Sequence, residues 1–390
     1  MKASKERPRP DILGLVGWRL LLLLLPALFA VLRIAPFAAG NYFANFHGAL
    51  EKAPTFATRW ATWDAQHYLF IAEHGYLAGH VSAAFWPLWP LVIRLAAHAT
   101  GAPTLGVALA LANLLATGAA IGLWHLIRAR SAEGDSRTAT WTVALWLAFP
   151  SAFFLALPYS EALFLALAIA LFLALDHRRY GWAALAAFAL PLARPVGVFI
   201  LLPLACHARR ELRHPHGPQE SPAHRPGLAL LLLAPLAGAA AYFVIHLLST
   251  GEALGAFAVR GRFVSGQSLG QLLDVPGLLG AAVAVDALHS VTGSLLDRVI
   301  FLLAVAALPW IYRRDRILFW YALPMTLVPA LSLRFMAFTR FALVLFPLFW
   351  AGAATLLQPR RAVLRWSLLA LSLGIQFWLY FRHSLNLWAG

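Results

Sequence analysis

Apolar runs of roughly 20 residues recur along the whole chain, separated by short polar or basic stretches. A bilayer's hydrocarbon core is about 30 Å thick, and a helix needs about 20 residues to cross it. Backbone polar groups in lipid need internal partners, so only helices or closed barrels can span it. These runs are too long and too continuous for barrel strands. The pattern predicts an all-α polytopic protein with eleven spans, near 12–36, 103–127, 139–157, 161–176, 181–193, 196–206, 227–249, 298–312, 317–333, 341–357 and 366–381. The fifth and sixth are short and meet at Arg194-Pro195. Proline disfavours a helical backbone in the residue before it, so a break is expected there. Residues 84–99 are apolar enough to cross, but they carry Pro87, Pro90 and Arg94. They are read as a helix lying at the outer interface, with Trp86 and Trp89 at headgroup depth.

Composition supports the membrane reading. Of the 390 residues, 61% are hydrophobic and 12% charged. A soluble domain is about 45–50% apolar and about 25% charged. This excludes disorder, a disulfide scaffold and an ordinary soluble enzyme. The sole cysteine, Cys206, excludes an intrachain disulfide and most thiolate metal sites. The formal charge is +15. No basic stripe with interleaved stacking aromatics lies in a soluble segment, so the charge speaks for topology and against a nucleic-acid partner. With the N-terminus inside, the inner segments 1–11, 128–138, 177–180, 207–226, 313–316 and 358–365 carry 19 of the 31 basic residues. The outer segments are more than twice as long and carry nine. The positive-inside bias therefore sets the N-terminus in the cytoplasm and the C-terminus outside.

The first 40 residues resemble a signal peptide, but the apolar run is long and the next segment needs a tether, so an uncleaved first span is preferred. Basic residues are almost all Arg, and Ala and Leu abound, a bias typical of GC-rich bacterial genomes. A plasma (inner) membrane location follows from that reading. One integral membrane domain over 1–390 is expected. It has two large outer loops, 37–102 and 250–297, and a basic, Pro/His-rich inner loop, 207–226, expected to be flexible. The working surface should be the outer one.

The first outer loop contains Arg59-Trp60-Ala61-Thr62-Trp63-Asp64-Ala65-Gln66-His67-Tyr68, then Ile71-Ala72-Glu73-His74-Gly75-Tyr76. Helical spacing puts Asp64, His67, Ile71 and His74 on one side, with Gln66 and Glu73 opposite. Ionisable residues at membrane depth are functional candidates. Asp64, His67 and His74 are conceivable metal ligands, but the separation of ten demands a long helix in exact register. Hydrogen bonding is the preferred role, and no metal or other cofactor is expected. Ser160-Glu161 could serve only to start a helix, or could place a carboxylate in a site. Arg194 sits at the expected break, and Arg334 and Arg340 bracket an outer turn. Snorkelling to the interface is one role for them. Binding phosphate oxygens through the guanidinium fork is the other, and Arg260 and Arg262 are further candidates for it.

Five stretches in order resemble the PIG-V family of mannosyltransferases, members of the GT-C superfamily. They are Trp63-Asp64-Ala65-Gln66-His67-Tyr68 with Ile71–Tyr76, Ala84-Phe85-Trp86-Pro87-Leu88-Trp89-Pro90, Pro158-Tyr159-Ser160-Glu161-Ala162-Leu163-Phe164, Ala193-Arg194-Pro195-Val196-Gly197, and Arg340-Phe341 through Pro347-Leu348-Phe349. The chain departs from the family at Trp86, Ala193 and Phe341, where Phe, Thr and Tyr are usual. Residues 251–258 echo a further motif loosely.

The resemblance implies a GT-C-like fold and a polyprenyl-phosphate sugar donor. It also implies a catalytic carboxylate in the first outer loop and inversion at the anomeric carbon. Asp64 matches the carboxylate. Trp63, Gln66, His67, Glu73, Tyr159, Glu161, Arg194, Arg260 and Arg340 are the expected substrate-binding residues. His67, Trp63 and Arg59 are expected to orient Asp64. The implied partners are membrane lipid, the lipid-linked donor and a glycolipid, glycan or protein acceptor. The rival readings are a lipid-linked glycan polymerase or ligase centred on Arg260 and Arg262, a lipid or glycan transporter, and a structural subunit. A transporter favours repeat halves with polar residues at the midplane. This sequence shows neither.

Overall fold

The computed structural model describes residues 10–34, 36–45, 54–131, 135–213, 224–260 and 274–390. The chain runs through α1 (Ile12–Val31), α2 (Ala39–Asn45), α3 (Asp64–His74), α4 (Leu88–Thr100), α5 (Thr104–Arg130) and α6 (Ser136–Leu147). There follow α7 (Glu161–Asp176), α8 (Tyr180–Ala193), α9 (Leu201–Arg213), α10 (His224–Thr250), α11 (Gly255–Arg260) and α12 (Val275–Val283). The last are α13 (Leu295–Arg314), α14 (Arg316–Ser332), α15 (Phe338–Ala342), α16 (Phe346–Leu356) and α17 (Ala362–Ser384). Among the described residues the β-structure is one isolated bridge, Ala287 to Ser294.

Every expected span falls on a helix or a helix pair, but length alone does not give eleven crossings. Among the described residues five helices are long and apolar enough: Ile12–Val31, Thr104–Arg130, Arg225–Thr250, Leu295–Arg314 and Pro359–Ser384. Tyr180–Ala193, Arg316–Ser332 and Phe346–Leu356 are apolar but shorter. Two expected spans are divided at prolines. The run 139–157 becomes α6 and a 3₁₀ turn at Ala152–Ala156, since Pro150 cannot continue the ladder. The run 341–357 becomes α15 and α16, with Pro347 in the first turn of α16, where a missing N–H costs nothing.

Breaks inside an apolar bundle free carbonyls that must find donors. Gln376 of α17 donates to Leu147 O at 2.9 Å and Phe149 O at 2.6 Å, and Ser372 to Ala148 O at 2.8 Å. Trp146 donates to Leu343 O at 3.1 Å, and Tyr321 to Val344 O at 2.7 Å. In α1, Pro26 has no N–H for Leu22 O, and the Tyr380 hydroxyl of α17 donates to that carbonyl at 2.8 Å. These bonds lock the first and last long helices to the broken ones between them.

Three expectations gain detail. Trp86 and Trp89 are buried in protein: Trp89 Nε1 donates to Pro158 O at 3.1 Å, and Trp86 stacks on Tyr242 at 4.9 Å. The described ends of the inner loop 207–226 are helical, because α9 continues to Arg213 and α10 starts at His224. The rest of that loop, 214–223, lies outside the described residues. Arg334 does not snorkel alone but pairs with Asp274 at 2.6 Å.

Candidate active site

Four charged side chains from distant parts of the chain meet where α3, α7, α8 and α15 begin or end. Asp64 opens α3. Its predecessor Trp63 has φ +55°, a left-handed conformation costing a non-glycine residue about 1–3 kcal/mol. The turn is held because Trp63 O accepts from Asn45 Nδ2 at 3.1 Å and from Gln66 N at 3.0 Å. Gln66 Oε1 accepts from the same Asn45 amide at 2.6 Å.

Glu161 is the first residue of α7. Ser160 does not cap that helix with its side chain; its Oγ lies 3.0 Å from Tyr68 OH. Arg194 is extended, φ −156° and ψ 150°, between the end of α8 and a 3₁₀ turn at Pro195–Ile200. Gly197 permits the tight return, since a β-carbon there would sit 2.2 Å from Leu190 O. Arg340 lies on α15, after a turn in which Arg334, Phe335 and Ala337 all have positive φ.

The four form one chain of ion pairs. Arg340 Nη1 is 2.6 Å from Asp64 Oδ2, and Arg340 Nε is 2.6 Å from Glu161 Oε1. Arg194 Nη1 reaches the same Glu161 oxygen at 2.6 Å. The charges cancel, which a buried cluster requires. Exposure separates the two carboxylates: the Glu161 side chain is 0% exposed and that of Asp64 31%. Arg340 also lies over the rings of Tyr159 at 4.6 Å and Phe154 at 4.9 Å, and Arg194 over Phe341 at 5.1 Å. Burial alone lowers the Arg340 pKa, but Asp64 and Glu161 outweigh it and the net shift is upward, so this cation is permanent. Burial, then Asp64 and Glu161, pushes the Tyr68 phenol up to about 12, keeping it a neutral hydroxyl.

The model of the PIG-V mannosyltransferases matches residues 13–210, which is just over half of the chain and carries Asp64, Glu161 and Arg194. The chain belongs to the PIG-V mannosyltransferase family. GPI alpha-1,6-mannosyltransferase 2 of Mus musculus is 34% identical over 136 residues, 33% of this chain and 27% of the mouse protein. The Homo sapiens protein of the same name is 33% identical over 135 residues. The aligned stretch thus spans about a quarter of the curated relatives' length. An oligosaccharyltransferase from Archaeoglobus fulgidus is similar at TM-score 0.46 and 14% identity, covering 96% of this chain and 55% of that one.

In this PIG-V family member the expected residues are not all drawn together. Trp63, Asp64, Tyr159, Glu161, Arg194 and Arg340 are. Gln66 is buried behind the loop, bonded to Asn45 and, at 3.3 Å, to Tyr42 O. His67 Nδ1 is 2.9 Å from Ser82 Oγ, and its ring stacks on Phe85. Glu73 is half exposed beside His74 at the far end of α3, outside the cluster. His74 lies ten residues on from Asp64, about 15 Å of helix. Arg59, expected beside Asp64, instead donates to Ser384 O at 3.1 Å and covers Phe37, drawn there by an unpaired carbonyl at the end of α17. Arg260 ends α11, and its side chain lies outside the described part, as does all of Arg262.

The supports of this cluster come from residues whose role short-range sequence pattern does not reveal. Tyr159 OH donates to Thr62 O at 2.9 Å and lies 2.9 Å from His383 Nε2, while Thr62 Oγ1 is 3.3 Å from the same imidazole. This buried knot fixes the backbone two residues before Asp64. Behind Arg340, the Thr339 N–H donates to Asp297 Oδ1 at 2.7 Å, and Ser151 Oγ donates to Thr339 O at 2.9 Å. A carboxylate near the start of an apolar run was the one signal that could have singled out Asp297.

Proposed function

We propose that the protein is an inverting glycosyltransferase that moves a sugar, mannose by family, from a polyprenyl-phosphate donor to an acceptor hydroxyl at the outer membrane face. The carrying observation is the Asp64–Arg340 ion pair at 2.6 Å, with Asp64 reachable and Arg340 anchored from behind by the buried Glu161. Asp64 takes the proton of the acceptor hydroxyl. The acceptor oxygen attacks the anomeric carbon, and the bond from that carbon to the phosphate oxygen breaks. The electron pair leaves with the phosphate, and the configuration at the carbon inverts. No second carboxylate nucleophile is needed.

Arg340 holds Asp64 in an ion pair and presents positive charge where the phosphate gathers negative charge. Arg194 balances Glu161 and adds to the same field. A lipid-phosphate leaving group accounts for a site at helix ends in an apolar bundle instead of on a nucleotide-binding fold. The outer-face assignment is supported by the concentration of basic residues in the opposite loops, 19 of 31.

The test is incubation of the purified full chain with polyprenyl-phosphate mannose and an alkyl mannoside acceptor. Donor loss with formation of a dimannoside of inverted linkage is expected. A retained configuration, or no consumption of any polyprenyl-phosphate sugar, would refute the proposal.

A further inference from the structure

Residues 385–390 run along the Asp64–Arg340 pair. Trp388 meets Trp63, the neighbour of Asp64, with ring centroids 5.5 Å apart and planes at 90°. Two residues later Gly390 packs on the other partner: a β-carbon there would lie 3.4 Å from Arg340 Cβ and 3.2 Å from Phe154 Cε2. The segment therefore flanks both members of the ion pair within three residues. It is tied down from outside the site. Ala38 N donates to Leu385 O at 2.9 Å and Asn41 Nδ2 to Asn386 O at 3.0 Å. Arg382 Nε donates to Trp388 O at 3.0 Å, and Trp388 Nε1 to Ser290 O at 3.2 Å.

Those bonds occupy the polar edge of Trp388 and leave its ring half-buried beside the site. Trp63, also half-buried, has its indole N–H buried without a hydrogen-bond partner. Two indoles packed edge to face beside a reachable carboxylate suit a pyranose ring, whose C–H face is apolar and whose edge carries hydroxyls.

We infer that Trp388 and Trp63 form a wall that contacts a hexopyranose ring beside Asp64, and that Trp388 is a specificity-determining residue of the transfer. The inference rests on the glycosyl-transfer reading above. The ring belongs either to the donor sugar or to a sugar acceptor, since both must bring an atom within reach of Asp64.

The test uses the full chain in detergent with two probes, polyprenyl-phosphate mannose and octyl α-mannopyranoside. Initial rates and saturation transfer from protein to sugar ring protons are measured for the wild type and for Trp388→Ala, Trp388→Phe and Trp388→Leu. Trp388→Ala is expected to raise KM for one probe about tenfold while kcat stays within about twofold. The ring-proton signal of that probe should fall, and Trp388→Phe should restore most of both. The probe that responds names the source of the ring. Unchanged KM and unchanged signals for both probes would overturn the inference. So would equal behaviour of the Phe and Leu variants, and that comparison decides the matter if Trp388→Ala does not fold. A wild type that binds both probes through Trp388 but transfers nothing would sink the glycosyl-transfer reading and leave the wall standing.

Discussion

Asp64→Asn and Glu161→Gln should fail in different ways, because the two carboxylates share Arg340 but not their exposure. Asparagine keeps the shape of Asp64 and an oxygen to accept from Arg340 Nη1, now at 2.6 Å from Oδ2. It cannot accept the acceptor's proton. A general base is worth about 10²–10⁴-fold in rate, or about 2.7–5.5 kcal/mol of barrier. The stability loss should be smaller than for Glu161→Gln, since Asp64 is partly exposed and solvent helps to screen the charge left on Arg340. Glu161 is fully buried and its Oε1 serves both guanidinium groups. Removing its charge leaves Arg194 without a counter-ion and Arg340 with Asp64 alone. Breaking a buried pair costs about 3–5 kcal/mol. Glu161→Gln should therefore show a depressed unfolding temperature, with lost activity following from misplaced Arg340. Glu73→Gln, half exposed and outside the cluster, should be near normal in both measurements. The assay pairs sugar transfer from polyprenyl-phosphate mannose with thermal unfolding in the same detergent. Near-normal transfer by Asp64→Asn, with collapse in a folded Glu161→Gln or Glu73→Gln, would falsify the choice of base. Normal transfer by all three would remove carboxylate-based transfer altogether.

Arg194→Ala should raise the donor KM about tenfold, the value of one charge-assisted contact, and should also lower thermal stability by exposing Glu161 to a net unbalanced charge. An unchanged donor KM in a folded variant would restrict Arg194 to balancing Glu161. Tyr159→Phe removes the hydroxyl that joins Thr62 O to His383, at a cost of about 1–3 kcal/mol for the unmet buried groups. Its kcat should fall more than its KM rises, and equal changes in both would argue against control of the Asp64 backbone. His289, beside the 385–390 segment, has its imidazole pushed down to about 4 by burial and then by Arg382. An unfolded histidine titrates near about 6.5. Between those values the unfolded chain binds the extra proton, so this contribution is complete above about pH 6.5 and is lost as pH falls towards 4. Unfolding temperature should drop across that window in the wild type and less steeply in His289→Gln; parallel curves would exclude the histidine as the cause.

The sequence by itself determined the helical membrane class, because apolar runs of bilayer length have one common solution. It also determined the break at Arg194-Pro195, which depends on a steric clash between neighbours. Resemblance of short motifs brought out Asp64, Glu161, Arg194 and Arg340 one at a time. Only the tertiary structure decided what these residues do to one another. Spacing rules reach three or four residues along a helix, whereas Arg340 meets Asp64 across 276 positions and Glu161 across 179. Those meetings depend on how broken helices dock, and docking was fixed by carbonyls that prolines had freed and that Gln376, Trp146 and Tyr380 satisfy from other helices. For the same reason Arg59 and Glu73, close to Asp64 in sequence, proved remote in role, while His383, Asp297 and Trp388 joined the site from the other end of the chain. The difference between a reachable carboxylate and a buried one is also tertiary. Asp64 and Glu161 each open a helix, and the exposure that distinguishes them is set by what packs on top.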